Sequence, residues 1–386
     1  MISNNIVTIM GSTGFIGRQA LDVAKQLGMK FLALAADKSV DLMEEQIRRF
    51  KPKYAVMSNL DAAKELKIRV KDTNTEILAG KNELCNNTLF EKADIVVNAI
   101  VGVAGFLPSI SIIKCKKKLA LANKESLVVA GELIIKLAKE NKVQILPIDS
   151  EHCAIFQCLE GKNSKEYLKK IILTASGGPF FGKCKNELKN VKSRDALKHP
   201  TWNMGAKISI DSATMMNKGF ELIEAHWLFD VDPTNIEILV HRESIVHSMV
   251  EFVDNSVIAN LAVPDMRLPI QYALTYPKRY KMLVQKLELS DVNKLTFFKP
   301  DYNTFGAINI CKNALNIGGT LPAVVNGVNE AAVELFLEDR ISFLEITEIV
   351  KKACNEYKNA PLNSVENVFS ADKWARNFVK NYFAKK

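Results

Sequence analysis

The sequence predicts an α/β protein with an N-terminal doubly wound parallel sheet, a central α+β domain and a C-terminal helical domain. Over the first third of the 386 residues, short and nearly continuous apolar runs alternate with helical stretches, as in a parallel sheet covered on both faces. From about residue 150, prolines interrupt the part of the chain that holds the second set of predicted strands. From about Gly306 the apolar residues have helical spacing.

Each element of the first part is predicted from its own run of residues. Short apolar runs predict strands, and apolar residues spaced three to four apart predict helices. The predicted strands are Ile6–Met10, Phe31–Ala36, Tyr54–Met57, Ile95–Ile100, Leu119–Ala122 and Val143–Pro147, and the predicted helices are Arg18–Leu27 and Val40–Phe50.

The later parts are predicted in the same way. Ser342 and Glu345 have capping-box spacing, which predicts a helix start there. Ser370 is the predicted N-cap of a last helix, whose aromatic residues recur every fourth position as a packing stripe. The stripe consists of Trp374, Phe378 and Tyr382. The central strands are predicted at Ile171–Thr174, Ile236–Val240, Ser248–Phe252 and Val257–Leu261.

The composition is that of an ordinary globular protein. The formal net charge is +9, but basic and acidic residues are interleaved, and no basic segment alternates with aromatic residues. A nucleic-acid-binding protein is therefore the weakest alternative. Seven cysteines without a CxxC pair are typical of reduced thiols. The sequence has no signal-peptide pattern and no apolar run of about 20 residues, so we expect a cytoplasmic protein without membrane or nucleic-acid partners.

A glycine-rich turn, Gly11–Gly17, follows the first predicted strand and opens the first helix. Its spacing, G-x-x-G-x-x-G, is a variant of the G-x-G-x-x-G of dinucleotide sites. Glycines let backbone N–H groups approach a pyrophosphate, and the helix N-terminus adds partial positive charge. A plain glycine-bearing turn is the alternative. The strand before it and the helix after it favour a Rossmann-like dinucleotide site.

Other strand ends carry polar residues. Asp37 favours the 2′-hydroxyl of NAD, whereas Lys38 and Ser39 favour the 2′-phosphate of NADP, so the residues only lean toward NADP. Lys124 follows a later strand, where it is placed to meet cofactor or substrate oxygens. The alternative there is a helix start capped by Asn123, and both interpretations can hold.

Two carboxylates, Asp149 and Glu151, follow the last strand of the first part. In an extended chain they point to the same side, and they repel each other unless a cation or proton lies between them. Oxygen ligands suit Mg²⁺ or Mn²⁺. His152 with Cys153 and Cys158 would suggest zinc, but the spacing fits no usual zinc pattern, and His152 is interpreted as structural.

Two later segments offer donors for an anion, and a loop lies between them. Residues 174–180 run from a strand end into a glycine turn that can form an anion nest. Ser212, Asn217 and Lys218 are donors suited to a phosphate, and Glu221 offers a third carboxylate. The loop between the segments, 199–205, carries bulky apolar side chains and suits a lid that excludes water. The alternative is a loop pinned to the surface by its tryptophan.

Together these segments resemble the 1-deoxy-D-xylulose 5-phosphate reductoisomerase family over nearly the whole chain. The most specific motif is DSATMMNKG at residues 211–219. The other markers are Gly11–Gly17, Leu121–Ser126, Asp149–His152, Ser176–Phe180 and His199–Gly205.

The resemblance implies conversion of 1-deoxy-D-xylulose 5-phosphate to 2-C-methyl-D-erythritol 4-phosphate, a step of non-mevalonate isoprenoid synthesis. Mg²⁺ or Mn²⁺ held by Asp149, Glu151 and Glu221 would grip substrate oxygens and favour a retro-aldol and aldol rearrangement. NADPH would then reduce the branched aldehyde. Lys124 would lie near the reacting oxygens, and Glu224 would support the metal site.

The resemblance also implies the binding residues. Those for the substrate are Ser150, Ser176, His199 (also catalytic), Trp202, Ser212, Asn217 and Lys218, with Met204 in the flap. Those for the cofactor are Ser12, Thr13, Gly14, Phe15, Ile16, Lys38, Ser39, Asn123, Glu125, Gly205 and Met266. The family often has Gly and Asn where this chain has Asp37 and Ser39, which weakens the expected preference for NADP. It often has a small Ser where this chain has Phe15, which is expected to alter the packing beside the pyrophosphate.

The implied assembly is a homodimer, and the implied chain organisation has four parts. These are an NADPH-binding domain at 1–149, a catalytic and dimerisation domain at 150–280 with a flap at 198–206, a linker at 281–305 and a helical domain at 306–386. Another Rossmann-type NAD(P) dehydrogenase of small metabolites is the main alternative. It accounts for residues 1–130 but leaves the three carboxylates unexplained, and it predicts turnover that survives metal removal.

Overall fold

A seven-stranded parallel sheet organises the first part of the chain in this computed structural model, which describes residues 5–161, 164–202, 204–281 and 284–384. The strand order is β4-β3-β2-β1-β5-β6-β7, so the order reverses between β1 and β5. Ligands of such sheets bind beyond the carboxyl ends of the strands at this reversal. The strands are β1 (Ile6–Met10), β2 (Lys30–Ala36), β3 (Tyr54–Met57), β4 (Glu76–Ala79), β5 (Ile95–Asn98), β6 (Lys118–Leu121) and β7 (Ile145–Pro147).

Helices cover this sheet, because its strands bury apolar side chains on both faces. Ile9 and Met10 of β1, for example, are fully buried although they point to opposite faces. The helices that follow the strands are α1 (Phe15–Gln26), α2 (Val40–Phe50), α3 (Leu60–Arg69), α4 (Phe106–Lys114), α5 (Glu125–Asn141) and α6 (Ser150–Cys158).

A smaller mixed sheet organises the central part, with the order β11-β10-β8-β9. Its strands are β8 (Leu168–Ala175), β9 (Ile236–Val240), β10 (Val246–Phe252) and β11 (Val257–Leu261). β8 pairs with β9 in parallel, whereas β10 pairs antiparallel with both β8 and β11. The helices here are α7 (Lys185–Leu188), α8 (Ser193–Ala196), α9 (Ala206–Thr214), α10 (Met216–Phe229), α11 (Arg267–Thr275) and α12 (Leu289–Val292).

The C-terminal part is helical, as predicted. Its helices are α13 (Ala307–Ile317), α14 (Leu321–Leu337), α15 (Phe343–Glu356) and α16 (Val365–Ala384). α14 is the central helix, since it packs on α13, α15 and α16. The capping box of Ser342 and Glu345 is present at the start of α15.

The chain forms two compact units. The first comprises Met1–Ser126, Ile134–Cys153 and Asp265–Val284, and the second comprises Leu127–Leu133, Ala154–Pro264 and Gln285–Lys386. Residues 265–280, which the sequence assigned to the central domain, lie in the first unit because α11 packs on α1, β6 and β7. In the part of the chain that the structure describes, no helix is long and apolar enough to span a lipid bilayer.

Two local features differ from the sequence predictions. β4 was not predicted, because it is a short edge strand with only three consecutive apolar residues, 77–79, fewer than the roughly four to eight that indicate a strand. The predicted N-cap Ser370 is wrong, since it lies inside α16. The helix begins earlier, where the Asn367 side chain accepts the N–H groups of Asn363 and Ser364 at 3.2 and 3.1 Å.

Candidate active site

The glycine turn lies at the carboxyl end of β1. The N–H groups of Gly11 and Ser12 both donate to the Ala35 carbonyl at 2.9 Å, which ties the turn to β2. Gly11 has φ +80°, and a Cβ there would lie 2.5 Å from the Ala99 oxygen. A Cβ on Gly17 would lie 2.1 Å from the carbonyl oxygen of Gly11. The first turn of α1 can therefore pack on the loop only because residue 17 has no side chain.

The N-terminus of α1 has the properties of an anion site. Gly14 is its N-cap, and no side chain caps the first N–H groups. These amides and the positive end of the helix dipole can therefore bind a pyrophosphate. Ser12 is buried, and its hydroxyl donates to Oε1 of Gln46 at 2.7 Å while its carbonyl accepts from Nε2 at 3.0 Å. Its polar groups are thus engaged in building the turn.

The residues predicted to face the adenosine ribose lie exposed after β2. Oδ1 of Asp37 accepts a hydrogen bond from the Ser58 hydroxyl at 2.5 Å, so its carboxylate is directed toward the residues after β3. Ser39 is the N-cap of α2, but its side chain makes no capping bond. Because the Asp37 carboxylate is bound to Ser58, the ammonium of Lys38 and the hydroxyl of Ser39 favour a 2′-phosphate over a 2′-hydroxyl.

Two asparagines connect the loops at the carboxyl ends of β5 and β6. Asn98 Nδ2 donates to the Gly105 carbonyl at 2.8 Å. Asn123 Nδ2 donates to the Ile100 carbonyl at 2.7 Å and to Oε2 of Glu125 at 2.9 Å. Asn123 and Glu125, both predicted to contact the cofactor, are buried, and Asn123 holds these loops together.

Asp149 lies at the carboxyl end of β7, directly before α6. The extended chain predicted here is wrong, since α6 begins at Ser150. Oδ1 of Asp149 accepts the Glu151 N–H at 3.2 Å, as an N-cap does. Oδ2 lies 3.0 Å from Nζ of Lys124, and the buried His152 places Nδ1 2.9 Å from Oδ1. These contacts hold the carboxylate in one orientation.

The donor atoms at the start of α6 suit a hard cation. Asp149 and Glu151 present carboxylate oxygens, and the Ser150 hydroxyl donates to Oε2 of Glu151 at 2.5 Å. Mg²⁺ and Mn²⁺ prefer such oxygen ligands. The zinc alternative gains no support, because neither of the two groups of described side chains that lie close enough together to hold a metal ion includes a cysteine.

In the second unit, Ser176 follows β8 in a turn whose two glycines, Gly177 and Gly178, have φ +75° and +65°. Oγ of Ser176 lies 2.8 Å from Nε2 of His199 and accepts the Gly178 N–H at 3.2 Å. A Cβ on Gly178 would lie 2.8 Å from the Ser212 carbonyl oxygen, so the turn packs directly on α9. The structure thus brings three predicted phosphate residues together.

The other predicted phosphate donors lie in the first turn of α10. Met215, with φ +63°, makes the corner between α9 and α10. Nζ of Lys218 forms an ion pair with Glu221, and Asn217 Nδ2 donates to Oε1 of Glu221 at 2.6 Å. Glu221 is only 1% exposed. Asn217 and Lys218, which are predicted to bind the phosphate, therefore both contact Glu221, which is predicted to bind the metal.

A polar network behind α9 was missed from the sequence. The carboxylate of Asp211, 1% exposed, binds Nζ of Lys207 at 2.7 Å and Nδ2 of Asn329 at 2.8 Å. It fixes the helix that carries Ser212. Asn329 belongs to α14, 118 residues away in the chain, so no local pattern could have indicated this contact.

His199 lies near the start of the predicted flap, residues 198–206. Its Nδ1 accepts the Trp202 N–H at 2.9 Å, so one imidazole contacts both the flap and the Ser176 turn. Trp202 is half-buried, with its ring 6.2 Å from that of His247. Gly205 is the N-cap of α9. Asn203 lies outside the described residues.

The remaining predicted cofactor residues lie in the first unit. Thr13, Phe15 and Ile16 are half-buried in or after the glycine turn. Met266 is the N-cap of α11, half-buried beside the ion pair of Asp265 and Arg267.

Comparison with known proteins agrees with this geometry. The family model "1-deoxy-D-xylulose 5-phosphate reductoisomerase" matches residues 7–131, and two models of C-terminal domains of the same enzyme match 145–229 and 261–378. Relatives of that name from Ruminiclostridium cellulolyticum and Clostridium botulinum (strain Loch Maree / Type A3) are 49% and 50% identical. They cover 96% and 97% of this chain, which covers 97% and 98% of theirs.

Solved structures of the same enzyme have the same fold. The Zymomonas mobilis enzyme in complex with NADPH is 40% identical, with a TM-score of 0.92 over 98% of this chain and 99% of that one. A second, in complex with NADPH, fosmidomycin and magnesium, is 38% identical, with a TM-score of 0.93 over 98% of both chains. The doubly wound parallel sheet, the central α+β domain and the helical C-terminal part predicted from the sequence are thereby confirmed, and the chain belongs to the 1-deoxy-D-xylulose 5-phosphate reductoisomerase family.

Proposed function

We propose that this chain catalyses the NADPH-dependent, metal-assisted conversion of 1-deoxy-D-xylulose 5-phosphate to 2-C-methyl-D-erythritol 4-phosphate, a step of isoprenoid precursor synthesis. The observation that carries the proposal is similarity at 49–50% identity over 96–97% of the chain to enzymes of that name. The similarity covers the glycine turn, which another Rossmann-type dehydrogenase would share. It also covers the carboxylate and phosphate segments, which such a dehydrogenase would not share.

The first unit fits NADPH. The glycine turn leaves room for a pyrophosphate at the uncapped N-terminus of α1. The engagement of Asp37 with Ser58 supports binding of a 2′-phosphate by Lys38 and Ser39. Asn123, Glu125, Met266 and the flap residue Gly205 complete the proposed contacts.

A divalent cation fits the carboxylates. We assign Asp149, Glu151 and Glu221 as its ligands, with Glu224 in support. Mg²⁺ is the cation named for related structures, and Mn²⁺ suits the same oxygen donors. When bound, the cation and NADPH provide Lewis-acid polarisation of the substrate oxygens and the hydride, respectively.

The chain's own residues bind, orient and enclose the substrate. Ser176, Ser212, Asn217 and Lys218 are assigned to its phosphate, assisted by His199, because hydroxyls and an ammonium are suitable donors. Binding energy from this unreactive group can drive closure of the flap, in which Trp202 excludes water.

Lys124 and Ser150 are assigned to the reacting end of the substrate. Nζ of Lys124 already lies 3.0 Å from Asp149, so it can donate a hydrogen bond to a substrate oxygen at the same site. His152 holds Asp149 in place from the other side.

The proposed function predicts a metal requirement. Purified protein should oxidise NADPH when given 1-deoxy-D-xylulose 5-phosphate and Mg²⁺ or Mn²⁺, which is measured as the loss of NADPH absorbance. After thorough EDTA treatment and dialysis, turnover should vanish and then return on addition of either ion. Turnover that persisted without metal would favour the unrelated dehydrogenase instead.

A homodimer is part of the proposal. β11 is an edge strand, and its apolar residues Val257 and Ile258 are each 48% exposed. Exposed apolar edges are usually covered, and a second copy of the chain is the proposed cover. Light scattering should give twice the chain mass, and Ile258→Lys should halve it, whereas the matched change Ile68→Lys at an exposed helix position should not. A monomeric parent protein would contradict the proposal.

A cytoplasmic location is also proposed. All seven cysteines are free thiols in the structure, which suits a reducing compartment.

A further inference from the structure

The loop between β9 and β10 is tied to the end of β8 by His241. The His241 N–H donates to the Ala175 carbonyl at 2.7 Å. Its buried ring accepts the N–H groups of Ile245 and Val246 through Nε2 at 3.2 and 3.1 Å, and Nδ1 lies 2.9 Å from the Thr296 oxygen. The loop is therefore held at the strand end from which the Ser176 turn begins.

Arg242, the next residue, contacts that turn directly. Its Nη1 donates to the carbonyl oxygens of Ser176 and Gly178, the latter at 2.7 Å. The half-buried guanidinium lies 5.1 Å from the centroid of the Phe181 ring. One side chain thus holds both ends of the Ser176–Gly178 turn and rests on an aromatic ring that follows it.

The positive charge of Arg242 is not paired with a carboxylate among the residues described. The neighbouring Glu243 binds Thr296 instead, accepting from its hydroxyl at 2.7 Å and its N–H at 3.3 Å. Burial lowers the pKa of the Arg242 guanidinium, against the attraction of Glu243. An arginine nevertheless stays protonated at any physiological pH. A cationic group therefore lies against the turn.

Holding the carbonyls sets the direction of the N–H groups. In a trans peptide the C=O and N–H point in opposite directions, so directing the Ser176 carbonyl at Arg242 turns the Gly177 N–H the other way. Gly177 and Gly178 have positive φ and no side chains, so they have the greatest backbone freedom. Such a turn keeps one conformation only if it is braced from outside.

We propose that Arg242 is a positioning residue for the substrate phosphate. It holds the Ser176 turn so that its hydroxyl and N–H donors face the phosphate, and its charge attracts the dianion from behind the turn. This inference rests on the proposed assignment of Ser176 and Ser212 to the phosphate.

Arg242→Met, which keeps length but removes charge and donors, tests the inference. We expect KM for 1-deoxy-D-xylulose 5-phosphate to rise about 10- to 100-fold, the range for hydrogen bonds to charged groups. The inhibition constant of inorganic phosphate should rise in parallel, whereas kcat and the NADPH Kd should stay within about twofold. Arg242→Lys should restore part of the affinity, since it keeps the charge but not the planar fork. The matched control is Arg340→Met, at a surface position where the side chain is 60% exposed.

A KM and a phosphate inhibition constant unchanged in Arg242→Met would overturn the inference, and so would a loss confined to kcat. If that variant fails to fold, a parent-like KM in Arg242→Lys together with an unchanged phosphate inhibition constant overturns it equally. Ser212→Ala distinguishes the role of Arg242 from the assignment of Ser176 and Ser212 to the phosphate. If it raises KM while Arg242→Met does not, only the role of Arg242 is wrong. If neither raises KM, the phosphate assignment itself is wrong.

Discussion

Replacing Asp149 with asparagine should lower kcat by about 10³-fold or more, while NADPH still binds. The change keeps an N-cap for α6, because asparagine caps as well as aspartate does. It removes a charged ligand, and Lewis-acid polarisation contributes several kcal/mol to catalysis, at 1.36 kcal/mol for each tenfold in rate. It also replaces the carboxylate oxygen that lies 3.0 Å from the ammonium of Lys124, a side chain that is only 9% exposed.

Three measurements check this expectation. Single-turnover and steady-state NADPH oxidation give kcat, fluorescence titration gives the NADPH Kd, and Mn²⁺ titration followed by electron paramagnetic resonance gives metal affinity independently of turnover. The control is Asp61→Asn, the same change at a carboxylate that is 91% exposed on α3. The metal assignment would be wrong if Asp149→Asn turned over within about threefold of the parent protein or bound Mn²⁺ equally well.

The fold was predictable to the extent that burial imposes a simple pattern on the sequence. β1, β3 and β9 have the predicted bounds, because each is apolar enough to be recognised from its own residues. β4 has only three consecutive apolar residues, which is too short a run to be recognised as a strand. The prediction of Ser370 as an N-cap failed because an N-cap must stand at the start of a helix. The residues that precede Ser370 already belong to α16.

The candidate site was predictable where its residues follow strand ends. The glycine turn, Lys124 and Asp149 are recognisable because parallel strands all place their carboxyl ends at one edge of a sheet. The residues that hold the site in place could not be predicted from the sequence. Arg242 lies 66 residues from Ser176, and Asn329 lies 118 from Asp211. Contacts between such distant residues have no local periodicity or spacing, so only the folded chain reveals them.

Replacing Gly17 with alanine should weaken NADPH binding at least about tenfold and destabilise the protein by about 1–3 kcal/mol, the usual range for overpacking. The added Cβ would lie 2.1 Å from the Gly11 carbonyl oxygen and 2.6 Å from the Ser12 Cα. Both are backbone atoms, so no side-chain rotation relieves the clash. α1 must instead move away from the turn, which displaces the N–H groups assigned to the pyrophosphate.

Urea unfolding and NADPH titration measure the two effects. Gly306→Ala is the control, because a Cβ there meets nothing within 4 Å and, like Gly17, this residue has no positive φ. The two effects of Gly17→Ala should be coupled, because NADPH binds to the tight turn. The same NADPH concentration should therefore raise the free energy of unfolding less in the variant than in the parent protein. A variant that lost stability yet bound NADPH with unchanged affinity would show that α1 and the turn can separate without disturbing the cofactor. The pyrophosphate would then have to be held by groups other than the start of α1.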